Sequence, residues 1–138
     1  MATTILRFFN AIGRNETNPH VVPHIFESLQ TSDVIHLGNM APRRDYIDTR
    51  DVAEAILSVA DGAQGLNVFN VGTGRETSVN RLHEHCRDVA GSTELPEHCP
   101  PRPGEARRSV LDASLATREL GWHAQVNLEE GLRKTWEE

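Results

Sequence analysis

The spacing of apolar positions along this 138-residue chain changes period several times. Ile5-Leu6-Arg7-Phe8-Phe9 is a short, nearly continuous apolar run, the pattern of a buried strand with a neighbour on each side. Over residues 20–29 the spacing becomes helical: Val22, Ile25, Phe26 and Leu29 share one face, and Pro23 fits only in the first turn. Val34-Ile35-His36-Leu37 and Asp45-Tyr46-Ile47 read as short extended pieces. Residues 50–60 form an amphipathic pattern in which Val52, Ile56 and Val59 align, with Asp48 or Thr49 as the cap. Leu66-Asn67-Val68-Phe69-Asn70-Val71 alternates like a strand. Thr77 or Ser78 then opens a helix carrying Val79, Leu82, Cys86 and Val89 on one side and stopping at Gly91. Residues 95–104 hold four prolines and form a loop. Ser109-Val110-Leu111 is extended; Asp112 caps a short helix ending at Gly121. Asn127 caps the last helix, where Leu128, Leu132 and Trp136 repeat every fourth residue.

Alternating strands and helices place the chain in the α/β class. The pattern also shows a deficit. Only residues 5–9 and 66–71 look like core strands of a parallel sheet, and such a sheet has to be covered and flanked. The expected organisation is therefore a single partial domain over residues 1–138.

Composition adds limits rather than detail. A 38% hydrophobic and 25% charged chain is ordinary for a globular protein. The net charge of −6 argues against nucleic acid as a partner, because phosphate backbones require a broad basic face. A few focused arginines can still bind a small anion. Two cysteines, Cys86 and Cys99, make no disulfide framework, and reduced thiols in the cytoplasm are the expectation. No apolar run reaches membrane-spanning length, so no membrane partner is expected.

Three segments carry candidate chemistry: Arg7-Phe8-Phe9-Asn10 followed by Gly13, Arg43-Arg44-Asp45-Tyr46-Ile47, and Arg102-Pro103-Gly104-Glu105. Each sets a guanidinium or carboxamide beside a strand end or turn. A planar guanidinium grips two phosphate oxygens at once, which an ammonium cannot, and a carboxamide offers both donor and acceptor. The competing account of Arg44 is a surface ion pair with Asp48 or Asp51; for Asn10 it is a turn cap. The order of these segments resembles the C-terminal, substrate-binding part of the nucleotide-sugar epimerases and dehydratases, the extended short-chain dehydrogenase/reductase family. The run Asp112-Ala113-Ser114, Glu119-Leu120-Gly121-Trp122 and Glu129-Glu130-Gly131-Leu132 extends that resemblance over nearly the whole chain.

The resemblance implies an extended Rossmann-type fold lacking most of its dinucleotide-binding sheet, the missing strands lying before residue 1. It implies a nucleotide sugar as ligand, with Asn10 on the pyrophosphate or sugar and Arg44 and Arg102 on the phosphates. Glu105, where the family commonly has Asp, would accept from ribose hydroxyls. Val21, in the helix start His20-Val21-Val22-Pro23, and Leu37, with Ile35 and His36, would line the base pocket. Family catalysis also needs a Tyr-x-x-x-Lys pair and a glycine-rich NAD site. Here the single tyrosine is Tyr46, the single lysine is Lys134, and Arg50 stands four residues after Tyr46.

Gly72-Thr73-Gly74 follows a strand, but Thr77 occupies the third glycine position and no second strand ends in an acid about twenty residues on. It is read as structural. His83, His85, Cys86 and Cys99 have no zinc spacing, and solvated histidines are expected. The sequence thus names no catalytic, metal or cofactor residue in this chain, NAD belonging to the intact family. It points to an NDP-sugar-binding segment that works with a separate N-terminal NAD-binding half or as a homo-oligomer. The alternative from another class is a non-catalytic, self-associating module that has kept part of the fold.

Overall fold

The computed structural model describes residues 3–16, 19–31, 34–60, 65–101 and 103–137. Strand β1 (Thr3–Phe8) pairs in parallel with β6 (Leu66–Val71), in register from Thr3↔Leu66 to Phe8↔Val71. Helix α2 (Thr49–Ala60) and the short α4 (Ser114–Leu120) pack on this pair. Between them lies one core cluster, built from Ile47, Val52, Ala55, Phe69, Val71, Ala116 and Trp122. Asp51 joins the layers: its carboxylate accepts from the backbone N–H groups of Gln125 and Val126, both at 3.0 Å. Its own carbonyl accepts from Trp122 Nε1 at 3.1 Å.

A second core gathers three further helices. Helix α1 (Val21–Thr31) contributes Val22, Ile25 and Phe26, the face given by its 3.6-residue spacing. Helix α3 (Val79–Ala90) contributes Leu82 and Cys86, and α5 (Leu128–Glu137) contributes Leu132 and, against Phe26 at 5.2 Å between ring centroids, Trp136. Ile12, Ile35, Leu37 and Tyr46 close it from the loops. Helix ends follow the expected caps. Ser78 Oγ accepts from Arg81 N, and Gly91, at φ 66°, turns the chain out of α3 in a left-handed conformation that costs glycine little. Asn127 Oδ1 accepts from Glu130 N at 2.8 Å and Asp48 Oδ1 from Arg50 N at 2.8 Å. Asp112 acts one residue earlier than expected: Ala113 is the cap residue of α4, while the Asp112 carboxylate accepts from Ser114 N at 2.9 Å.

Short bridges join the two cores. β2 (Ala11–Ile12) pairs in parallel with β5 (Ile47–Asp48), and β3 (His36–Leu37) with β8 (Glu97–His98). β4 (Arg43–Arg44) is the centre of a three-stranded sheet, antiparallel to β7 (Thr77–Ser78) and parallel to β9 (Arg108–Ser109).

Three expectations change. β1 was read as buried with a strand on each side; among the described residues it pairs with β6 alone, and Ile5, Phe8 and Phe9 are more than two-fifths exposed. α2 buries Val52 and Ala55 with Val59 packed beside them, but turns Ile56 outward at 53% exposure. The strand expected from Val34 forms over His36–Leu37 only, because β8 offers just two residues to pair with. The physical reason for the first two is common: the apolar pattern of β1 and α2 supports more cover than these residues supply.

Candidate functional site

A cleft of about 650 Å³ opens between α1, β3, β4 and the segment that leads from β8 to β9. This volume is that of an ordinary small-molecule site. Asn10, Val21, Leu37, Arg44 and Glu105 all line it. They come from a strand end, a helix start, two different strands and a loop, so five of the six residues singled out by sequence meet in one place. The sixth, Arg102, lies outside the described residues. Among the lining residues that the sequence did not single out are Glu16, His24, Glu27, Asn39 and Tyr46. Tyr46 belongs to the Arg43-Arg44-Asp45-Tyr46-Ile47 segment; the others carry no motif of their own, and their membership follows from where α1 and β3 are packed.

Strand alternation decides which arginine faces the cleft. Arg43 points away and, with Arg108 on the neighbouring strand, pairs with Glu76. Arg44 points in, its side chain 19% exposed, with Nη1 donating to Arg43 O at 3.0 Å and Nη2 standing 3.7 Å from Glu105 Oε1. The competing ion pair for Arg44 does not form. Asp48 is gripped by Arg50, Nε to Oδ1 at 2.9 Å and Nη2 to Oδ2 at 3.1 Å, and Asp51 is spent on the backbone of Gln125 and Val126.

Asn10 plays the turn role as well as lining the cleft. It sits at φ 42°, where asparagine is among the few side chains tolerated, and its Nδ2 donates to Asp45 O at 2.9 Å. Asp45, 1% exposed, anchors the segment that carries Arg44. Its carboxylate accepts from Thr73 N at 3.0 Å, Thr73 Oγ1 at 2.5 Å, Gly74 N at 2.9 Å and Leu111 N at 3.3 Å. Those partners are 28 to 66 residues away, a separation no local pattern can announce.

The same contacts decide what the Gly72-Thr73-Gly74 turn can hold. Its N–H groups already serve a buried carboxylate, and a Cβ on Gly72 would stand 2.8 Å from Asp45 Oδ2 and from Leu111 Cβ. A dinucleotide pyrophosphate does not fit there. Tyr46 is 6% exposed, and burial pushes its phenol up to about 12 against the opposing pull of Arg44. That is the wrong direction for a tyrosine that must trade a proton near neutral pH. Burial likewise pushes the Cys86 thiol up to about 12, which makes it inert. The histidine expectation needs one correction: His83 is 2% exposed, not solvated, and burial lowers its pKa.

The GDP-mannose 4,6 dehydratase family matches residues 1–135. The chain belongs to this family of NAD-dependent nucleotide-sugar epimerases and dehydratases. Among the relatives of this epimerase/dehydratase chain is the UDP-glucose 4-epimerase of Mycolicibacterium smegmatis, 44% identical over 100 residues, which are 72% of this chain and 32% of that protein. The UDP-glucose 4-epimerase of Thermotoga maritima, solved with UDP-glucose, superposes with a TM-score of 0.89 at 36% identity, covering 97% of this chain and 44% of the other. The Thermus thermophilus UDP-glucose 4-epimerase, solved with NAD, gives 0.86 at 29% identity, covering 99% and 46%. The chain thus spans less than half the length of each of these relatives and corresponds to the C-terminal part of the epimerase fold. Among the described residues, no helix is long and apolar enough to cross a membrane.

Proposed function

We propose that this chain is the nucleotide-sugar-binding lobe of an NAD-dependent epimerase or dehydratase, working in the cytoplasm with an N-terminal half that carries NAD. The observation that supports it most is the convergence of Asn10, Val21, Leu37, Arg44 and Glu105 on one cleft. In this reading the diphosphate lies on Arg44, the base between Val21 and Leu37, and the sugar toward Asn10. With the other half, the reaction is oxidation at a sugar carbon by NAD followed by re-reduction or elimination. The chain by itself binds no NAD and transfers no hydride, since Tyr46 and Lys134 are its only tyrosine and lysine and the glycine-rich turn is filled by Asp45.

Thermal-shift titration with UDP-, dTDP- and GDP-sugars tests the reading. At least one should raise the melting temperature, and Arg44→Ala should weaken that ligand about tenfold or more, the loss of one charge-assisted contact. Stabilisation that survives Arg44→Ala unchanged, or a clear shift with NAD alone, would overturn it.

A second reading has its own support. Ile5, Phe8, Phe9 and Leu66 on the β1–β6 pair, and Ile56 and Leu57 on α2, leave large apolar side chains exposed. A self-associating module would cover these side chains with another copy. Sizing and light scattering at micromolar concentration separate the readings: a monomer that binds a nucleotide sugar favours the lobe, and a ligand-indifferent dimer favours the module.

A further inference from the structure

Glu105 is the carboxylate within ion-pair distance of Arg44, the side chain that the proposed reading assigns to phosphate. Arg44 faces the cleft with its Nη1 donating one hydrogen bond to the carbonyl of Arg43 and its Nη2 turned toward Glu105 Oε1 at 3.7 Å. Both side chains are sheltered, at 19% and 30% exposure, so neither charge is fully screened by water. The loop that carries Glu105 is pinned at both ends to opposite walls of the cleft. At one end Cys99 N donates to Leu37 O at 2.7 Å, and at the other Arg43 N donates to Arg107 O at 2.9 Å. Between these anchors Gly104 turns at φ 77°, a left-handed conformation that costs glycine little and sets where Glu105 leaves the turn. The other carboxylates lining the cleft, Glu16 and Glu27, add to the negative charge an incoming anion meets.

We propose that Glu105 is a selectivity residue: its carboxylate competes with phosphate for Arg44, so a bare phosphate or diphosphate gains little by entering and the nucleoside must supply the rest. The inference rests on the nucleotide-sugar reading of the cleft and departs from the ribose role that the resemblance assigns to Glu105. Exchanging one anion for another on the same guanidinium yields only a difference of two similar interactions. A ligand that also fills the space beside Val21 and Leu37 gains burial that pyrophosphate cannot. The longer Glu reaches Arg44 across the loop, and its position within ion-pair distance is what makes it a competitor.

Calorimetric titration of the full chain with inorganic pyrophosphate and with UDP, dTDP and GDP tests this, on wild type, Glu105→Gln and Arg44→Ala, with circular dichroism confirming each fold. Glu105→Gln keeps the shape and removes the charge, so pyrophosphate should bind about twofold to fivefold more tightly, the usual worth of a partly exposed pair. Binding first detectable in Glu105→Gln supports the proposal equally. Pyrophosphate binding that is unchanged, weaker, or absent from both proteins overturns it. Arms with UDP, dTDP and GDP read the underlying assignment separately: nucleotide binding that Arg44→Ala leaves intact, or no binding of any of the three by wild type, removes the nucleotide site itself.

Discussion

The lobe around Ile25, Leu82 and Leu132 and the layer made by β1, β6 and α2 draw on the same apolar residue types, yet only the first closes over them. Ile25, Leu82 and Leu132 are 0% exposed, whereas Phe8, Ile56 and Leu66 lie at 46%, 53% and 72%. The lobe has helices on three sides and carries one wall of the cleft. The layer has one strand pair and helices against part of it. A cleft can therefore be shaped locally while the layer beside it still leaves apolar side chains exposed, and the two features belong to different regions of one chain.

The largest test of that contrast is Leu132→Ala. Truncating a fully buried leucine should cost roughly 2–5 kcal/mol in urea unfolding, and a cost below about 1 kcal/mol would show the lobe to be as open as the layer. A smaller effect should come from His83, whose Nε2 is buried without a hydrogen-bond partner. Burial lowers its pKa, with Arg87 adding to the shift, so the folded state resists a proton that the unfolded chain takes up near the ordinary imidazole value of 6.5. Stability is therefore complete above pH 6.5 and declines as pH falls through the folded pKa, by less than about 1.4 kcal/mol per pH unit. Melting curves between pH 5 and 7.5 should show this slope, and His83→Leu should flatten it; an unchanged slope in the variant would assign the effect to other groups. The smallest change is expected from Phe8→Ser. At an exposed position it should move stability by no more than about 0.5 kcal/mol while lowering self-association in sizing experiments. A loss approaching that of Leu132→Ala would mean that the layer is closed in solution, and the comparison would fail.

Much of this was legible from residues alone. Helix α3 could be read with its cap and stop because Ser78, the Val79/Leu82/Cys86/Val89 spacing and Gly91 are local signals acting within a few residues. The α/β class followed from the alternation of periods, and five residues of the cleft, Asn10, Val21, Leu37, Arg44 and Glu105, followed from three short motifs and two flanking segments. The lone β1–β6 pairing was anticipated as a shortage of strands, but the exposure of Ile56 was not, because helical spacing shows which residues share a face and not how much of that face a neighbour covers.

What the chain alone determined was where its helices start and stop and which side chains suit an anionic ligand, since capping, periodicity and hydrogen-bonding capacity are properties of near neighbours. The three-dimensional arrangement decided the rest. Asp45 became the clasp of the Thr73–Gly74 turn, Arg44 rather than Arg43 faced the cleft, and Glu105 came within ion-pair reach of that arginine. Each depends on groups brought together across 28 to 61 residues, and that proximity is set by how the two cores pack.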